Sequence, residues 1–129
     1  MQFTVDPRQL SPVSLAFLGD GVFELLVRER LLAENGGMPA SKLHSLSVEE
    51  VRASSQAACY DLLSEALTEP ERDILRRGRN SNSTRAPKSC TVEEYRKATA
   101  IEALFGYLYL SGKNERIREL FALMAKHHP

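Results

Sequence analysis

The chain has no excess of charge of either sign. Its 129 residues contain 17 Lys and Arg against 17 Asp and Glu, so the formal net charge is zero. A nucleic-acid partner therefore cannot be inferred from bulk charge, and any basic surface must be local.

Cysteines and long apolar runs are also scarce. The two cysteines, Cys59 and Cys90, lack the spacing of a metal site or a disulfide framework, which indicates reduced thiols. The N-terminal residues lack the charged start and apolar stretch of a signal peptide, and no apolar run is long enough to cross a membrane. We therefore expect a cytoplasmic protein with no membrane partner.

Alternation of apolar and polar residues, the pattern of a half-buried strand, is absent, and helix signals dominate instead. Ser11-Pro12 predicts a helix start, and Asn35-Gly36-Gly37 predicts its end through a left-handed glycine cap. We expect Ser41 to cap a short helix through Leu46.

Three capping boxes, each with Glu three residues after Ser or Thr, predict further helix starts. After the box at Ser47, a helix is predicted from Val48 to about Leu67 with Ala58 facing inward. The others run from Thr68 to near Gly78, from Thr91 to about Ser111, and from Asn114 through Lys126. A long loop is expected from Asn80 to Cys90. The sequence thus predicts an all-α fold of about six helices in a single domain spanning residues 1–129.

Two apolar helical stretches carry acidic residues. Asp20 and Glu24 lie four residues apart in the first helix, and Glu102 is the only acid in the apolar part of the helix after Thr91. Apolar residues lie all round the first stretch, so we expect it to be buried on most faces. A carboxylate buried alone costs several kcal/mol unless it is protonated, paired or bound to metal.

Glycines beside these acids indicate close approach of another helix or of a ligand. Gly19 and Gly21 flank Asp20, and Gly106 lies one turn beyond Glu102. If the two helices cross there, the facing carboxylates need a cation between them, and Mg²⁺ favours one or two carboxylates plus water and phosphate. The alternative is structural: the acids pair with Arg28, Arg96 or a tyrosine hydroxyl, and the glycines mark packing only.

Four segments resemble known motifs. Residues 17–22, FLGDGV, resemble the signature helix of the ribonuclease III family, and residues 102–110, EALFGYLYL, resemble its second metal-binding helix. Residues 76–80, RRGRN, and 95–100, YRKATA, are similar to motifs of its short form, Mini-ribonuclease III, which lacks a double-stranded RNA-binding domain. The resemblance implies a ribonuclease III-type endonuclease domain that dimerises and cleaves double-stranded RNA with Mg²⁺, leaving 5′-phosphate ends. The short form is associated with maturing the ends of large-subunit ribosomal RNA precursors.

The same resemblance implies the site residues. Asp20 and Glu102 carry over as catalytic metal ligands for Mg²⁺, with Mn²⁺ as a substitute. Ala16 and Thr99 stand where the full-length family has two further acids, so the number of metal ions stays open. Thr99 and Glu24 are expected to position water around the ion. The alternative is a catalytically inactive helical module for RNA binding or ribosome assembly, which a nuclease assay separates from the enzyme.

Basic and amide side chains cluster around the predicted long loop. Such groups suit a phosphate backbone, which dominates recognition of A-form RNA because its major groove is too narrow to read. The expected RNA contacts are Arg76, Arg77, Arg79, Asn80, Arg85 and Lys88, with Lys42 and His44 from the short helix after Gly37. The alternative for the arginines at the helix end is that they only favour the helix dipole.

Partners beyond the RNA are expected from the resemblance. A two-fold homodimer places two sites across a duplex groove. Leu15, Phe23 and Phe105 are expected to supply surplus apolar surface for it. Because affinity for generic duplex is expected to be modest, either a ribosomal protein or the shape of the rRNA is expected to guide the enzyme.

Overall fold

The chain folds into seven α-helices in the computed structural model, which describes residues 4–81 and 86–127. They are α1 (Pro12–Asn35), α2 (Ala40–Val51), α3 (Ala53–Ala57), α4 (Tyr60–Ala66), α5 (Glu69–Arg79), α6 (Val92–Leu110) and α7 (Asn114–His127), preceded by a 3-10 turn at Pro7–Gln9. These two ranges contain no strand, so the predicted all-α class is confirmed. Within them, no helix has both the length and the apolar character that crossing a bilayer requires.

Side-chain caps set three of the predicted helix starts. The Ser11 hydroxyl accepts a hydrogen bond from the Ser14 amide at 3.1 Å and opens α1. Both reciprocal bonds of the capping box are present at Thr68 and at Thr91, where α5 and α6 begin. Each cap is worth about 1 kcal/mol because it satisfies amide groups that the first turn leaves without a partner.

The predicted helix start at Ser47 is wrong. Ser47 is buried inside α2, and its hydroxyl donates to the His44 carbonyl at 2.9 Å. Glu50, the other half of the expected box, pairs instead with Arg30 of α1. Ser41 is likewise not the cap, because α2 begins after Pro39 with no side-chain cap. Packing of α2 on α1 therefore outweighs the local capping signal.

The predicted helix from residue 48 to residue 67 is broken into three pieces. The backbone adopts an extended conformation at Arg52, between α2 and α3. The side chains of Ser55 and Gln56 donate to the carbonyls of Glu49 and Val51, at 3.0 and 2.8 Å. These bonds occupy carbonyls that helical amides would otherwise use, so they stabilise the break.

The break changes which residues face inward. Ala58, predicted to be inward, is exposed. Gln56 and Cys59 are buried in its place, at 1% and 0% exposure.

Helix α6 lies at the centre of the molecule and packs against α1, α3 and α5. Leu104 and Phe105 on α6 are fully buried, and the Phe105 ring centroid lies 5.8 Å from that of Phe23 on α1. Burying each such side chain contributes about 1.5–3 kcal/mol. The two helices that carry the candidate acids are therefore the two that anchor the core.

Helix α1 is only half buried, contrary to the prediction that most of its faces are covered. Val13, Phe17 and Leu25 are 60%, 86% and 67% exposed. The residues expected to provide surplus apolar surface are instead inside the chain's own core: Leu15 is 1%, Phe23 2% and Phe105 0% exposed. That expectation is wrong because the pattern alone does not show which face of α1 meets α6.

Two glycines allow α1 and α6 to cross closely. A Cβ at Gly19 would overlap the backbone carbonyl of Glu102, and a Cβ at Gly106 would overlap that of Leu15. A Cβ at Gly21, in contrast, would meet open space. The close approach indicated by the sequence is therefore helix packing at Gly19 and Gly106.

The glycines that follow α1 and α6 have different backbone conformations. Gly112 ends α6 with a φ of +72°, the left-handed conformation that glycine adopts without strain. Gly36 ends α1 with a right-handed φ of −58°, so the left-handed cap predicted there is wrong. Beyond Gly112, α7 is tied to α5 by Arg116, whose guanidinium donates twice to the buried Glu71 carboxylate at 2.9 and 2.8 Å.

Candidate active site

The crossing of α1 and α6 brings Asp20 and Glu102 together. Gly19 packs on the backbone of Glu102, which places the next residue of α1 beside the Glu102 side chain. Both side chains line the same cleft, and Asp20 is close enough to act on the pKa of Glu102. The predicted convergence of these two acids is thus present in the fold.

The two acids lie in different surroundings. Asp20 is exposed, whereas Glu102 is largely enclosed. Burial is the main cause that raises the pKa of Glu102 to about 8, and the hydrogen bond and negative charge of Asp20 raise it further. The Gln56 amide acts in the opposite direction. Without a cation, burial and the neighbouring Asp20 therefore favour the protonated form of Glu102 at neutral pH.

The pair has the chemistry of a divalent-cation site. Oxygen ligands suit Mg²⁺, which takes one or two carboxylates and completes its shell with water and phosphate oxygens. Among the described residues no group of three or more His, Cys, Asp and Glu could hold a metal. A cation bound between them would favour the ionised form of Glu102, in opposition to the burial and the Asp20 charge that raise its pKa. The residues therefore fit the ion that the resemblance implies.

A cleft of about 390 Å³ opens over the two acids. Its walls are Val13, Ala16, Phe17, Asp20, Ser81, Tyr95, Thr99 and Glu102. The cleft is therefore formed by α1, α6 and the first residue after Asn80, and it gives the acid pair access to a substrate.

The two residues predicted to position water lie differently with respect to this cleft. Thr99 lines it, and its hydroxyl donates to the Tyr95 carbonyl at 2.8 Å, which fixes the side chain. Glu24 lies one turn beyond Asp20 and pairs with Arg28 at 2.6 Å. The ion pair with Arg28 that the sequence left open is thus made by Glu24. The water-positioning roles of Thr99 and Glu24 stay predictions.

One residue beside the acids was not predicted from the sequence. The Gln56 side chain is 1% exposed, and its Nε2 donates to Glu102 Oε2 at 3.4 Å as well as to the Val51 carbonyl. The predicted continuous helix did not place Gln56 inward. No charge or motif marks this glutamine, so the break before α3 is the only signal that could have found it.

A second groove, of about 490 Å³, adjoins the acidic cleft. Its lining residues are Ser11, Pro12, Val13, Arg76, Arg77, Asn80 and Ser81, so it shares Val13 and Ser81 with the cleft. Arg76 is exposed and pairs with Asp73. Arg77 donates to the carbonyls of Arg8 and Leu10, at 3.1 and 3.3 Å. Three of the residues predicted to contact RNA thus lie next to the acids.

The other basic residues are more scattered. Arg79 pairs with Glu93 and lies over the Tyr60 ring, so it joins the end of α5 to the start of α6. Lys88 is exposed on the connection that leads to α6. Arg85 lies outside the described residues.

Lys42 and His44 are exposed on α2, away from the acidic cleft. His44 lines a separate, mostly apolar hollow of about 180 Å³ together with Arg28. The structure therefore does not bring these two residues together with the acid pair, and their contact with RNA stays a prediction.

The metal-free protein is expected to lose stability as the pH rises from 4.5 to about 8. Its folded form retains the Glu102 proton up to a pKa of about 8, whereas the unfolded chain releases it near 4.5, so folding binds a proton across this window. Glu102→Gln should remove this slope and stabilise the metal-free protein by about 1–3 kcal/mol at neutral pH.

Urea denaturation in a chelator at several pH values measures this effect. Glu65→Gln, at an exposed position on α4, is the matched control and should keep the wild-type slope. An unchanged slope in Glu102→Gln would contradict the account of the acid pair.

Comparisons with known proteins show what the chain is similar to. The family model described as "Ribonuclease III domain" matches residues 13–113. The chain is 47% identical over 120 residues to Mini-ribonuclease 3 of Symbiobacterium thermophilum, covering 93% of this chain and 92% of that protein. It is 42% identical over 113 residues to Mini-ribonuclease 3 of Staphylococcus aureus, covering 86% and 84%. The crystal structure of a protein from Fusobacterium nucleatum superposes with a TM-score of 0.85 at 34% identity, covering 98% of this chain and 100% of that one.

Proposed function

The chain belongs to the ribonuclease III family, and on that premise we propose that it is an Mg²⁺-dependent endoribonuclease that cleaves double-stranded RNA. Residues 1–129 act as one catalytic domain. The convergence of Asp20 and Glu102 in an open cleft carries this proposal. A helical adaptor gains nothing from an acid whose pKa burial raises to about 8, whereas a metal enzyme uses that acid as a ligand.

Asp20 and Glu102 hold the metal, and neither needs to act as the general base. When bound, a divalent cation there supplies charge neutralisation at the scissile phosphate and activation of the attacking water. A cation there would compete with the proton of Glu102 for the same oxygens, so Glu102 would hold it in the ionised form. The close packing of α1 on α6 fixes the relative positions of the two carboxylates.

The groove beside the cleft is the proposed contact surface for the phosphate backbone of the RNA. Arg76 and Asn80 line it. In this proposal they contact phosphates of a duplex whose scissile phosphate binds beside the acids. Arg77 and Arg79 each have bonds within the protein, but a guanidinium carries five N–H donors, so further donors serve phosphates. Further proposed RNA contacts are made by Lys88, Lys42 and His44.

Arg76→Ala is expected to weaken duplex RNA binding several-fold and to lower the salt slope of the affinity by about one, the share of one lost phosphate contact. The measurement is fluorescence anisotropy with a labelled duplex over a series of salt concentrations. Arg118→Ala is the matched control, since Arg118 is also an exposed, ion-paired arginine but lies on α7. Equal effects of the two substitutions, or binding that salt does not weaken, would overturn the proposed groove.

A homodimer completes the proposal. Val13 and Phe17 are exposed beside the acidic cleft, and Leu25 continues the exposed apolar surface of α1. Covering large apolar side chains against a second copy is favourable, and a two-fold axis places two sites across one duplex. Light scattering should give twice the chain mass of 14.4 kDa, and a strictly monomeric active enzyme would refute the dimer.

The proposed substrates are precursors of large-subunit ribosomal RNA, with a ribosomal protein bound to the precursor as a guide. Cys59 and Cys90 are both free, which suits a reducing compartment, and we place the enzyme in the cytoplasm. Adding the ribosomal protein fraction should raise cleavage of a precursor stem relative to a generic duplex. Equal cleavage rates on both RNAs would show that no ribosomal protein guides the enzyme.

A cleavage assay tests the activity itself. Labelled duplex RNA should be cut with Mg²⁺ or Mn²⁺, left intact with a chelator, and yield 5′-phosphate ends, while single-stranded RNA and duplex DNA serve as controls. The alternative of an inactive RNA-binding module predicts retention of the duplex without cleavage under every one of these conditions.

A further inference from the structure

Gln56 places a buried amide group beside the acid pair. Its side chain is 1% exposed on the short helix α3, which packs on α6. The Nε2 atom donates to the Val51 carbonyl at 2.8 Å and to Glu102 Oε2 at 3.4 Å. Gln56 thus joins the end of α2 to the carboxyl group of the enclosed acid.

The other end of the same amide is not satisfied. Gln56 Oε1 is buried and has no hydrogen-bond partner among the described residues. Buried polar atoms in native proteins nearly always have a partner, so an unsatisfied one needs a reason. A residue that only fills space would leave no such atom behind, because Met or Leu fills the same volume without it.

The position of Gln56 supplies the reason. Glu102 needs a fixed side-chain orientation to face Asp20, and Gln56 Nε2 is the amide donor that contacts its carboxylate. Partners of this kind orient a metal ligand, and their mutation typically lowers metal affinity by about 10–100-fold. A neutral amide does so without adding a third negative charge to the pair.

We propose that Gln56 is a positioning residue that orients the Glu102 carboxylate toward Asp20 for divalent-cation binding. The inference rests on the proposed function, because it assigns a role at the same site. Gln56 touches neither substrate nor the reacting atoms. Its effect is exerted through Glu102 alone, so it concerns metal affinity and leaves duplex binding unchanged.

Direct Mn²⁺ binding, followed by electron paramagnetic resonance of the free ion, tests the proposal without relying on activity. Gln56→Met and Gln56→Leu keep the side-chain volume and remove the amide. Both are expected to bind Mn²⁺ about 10–100-fold more weakly than wild type. Their cleavage of duplex RNA should recover as Mg²⁺ is raised, with no change in KM for the duplex.

Ser47→Ala is the matched control, because Ser47 is also a buried polar residue with a local backbone bond but does not touch the acids. It should keep wild-type Mn²⁺ affinity even where its unfolding midpoint falls. Wild-type Mn²⁺ affinity in a folded Gln56→Met protein would overturn the role of Gln56 alone. If wild type itself binds no Mn²⁺, the proposed function fails, and the two failures are therefore distinguishable. Should Gln56→Leu unfold, Gln56→Met and the Mg²⁺ recovery still decide the question.

Discussion

Asp20→Asn is expected to reduce duplex RNA cleavage by about 10³-fold or more at saturating Mg²⁺. The substitution keeps the size of the side chain but removes one of the two carboxylates that the α1–α6 crossing brings together. A metal ion contributes several kcal/mol to stabilising the charge of a transition state, and each 1.36 kcal/mol corresponds to a factor of about ten. Single-turnover cleavage of a labelled duplex measures the loss.

The fold should survive this change. Asp20 is exposed, and an amide of the same size can still accept a hydrogen bond from Glu102, so the substitution leaves the α1–α6 crossing intact. The unfolding midpoint of Asp20→Asn in chelator should equal or exceed that of wild type. Glu65→Gln, an exposed acid on α4, is the control and should cleave at the wild-type rate. Wild-type cleavage by Asp20→Asn would remove Asp20 from the site.

Substituting alanine for two glycines, only two positions apart, should change stability in opposite directions. A Cβ at Gly19 overlaps the backbone carbonyl of Glu102, which cannot rotate away, so Gly19→Ala should destabilise the protein by about 3 kcal/mol or more. A Cβ at Gly21 meets open space on the same helix, so Gly21→Ala should stabilise it by about 0.5–1 kcal/mol. Urea denaturation followed by far-ultraviolet circular dichroism measures both.

The two glycine variants also test whether the α1–α6 crossing controls metal binding. Gly19→Ala must push α1 and α6 apart at the level of Asp20 and Glu102, so the remaining folded protein should also lose affinity for Mn²⁺. Equal stabilisation by Gly19→Ala and Gly21→Ala would show that the helices do not approach as closely as described. Because a domain of this size is stable by about 5–15 kcal/mol in all, the expected loss is readily measured.

Local signals predicted the helix starts wherever nothing in the tertiary structure competed with them. Thr68 and Thr91 form complete capping boxes at the predicted positions. Ser47 has the same residue pattern but lies inside α2, because Glu50 pairs with Arg30 across the α1–α2 contact. A capping box contributes only about 1 kcal/mol, so an inter-helix contact decides the outcome.

Burial could not be predicted from apolar content alone. The first helix is apolar on every side, and the sequence does not show which side meets α6. Phe17 is 86% exposed whereas Phe23, in the same helix, is 2% exposed. Gly19 and Gly106 decide the matter, since only the face that carries them can approach another backbone so closely.

The two acids of the site could be predicted because a carboxylate in an apolar helix is costly and therefore conspicuous. Gln56 could not, since a neutral amide carries no such signal and its inward position depends on the break at Arg52. Arg79 illustrates the same limit for the basic cluster, because its pairing with Glu93 depends on how α5 and α6 meet.

Anomalous diffraction from crystals soaked in Mn²⁺ tests the central claim most directly. The account predicts one strong anomalous peak bonded to a carboxylate oxygen from Asp20 and one from Glu102, with the remaining ligands supplied by water. A peak elsewhere on the molecule, or side chains of Asp20 and Glu102 that point away from each other, would contradict it.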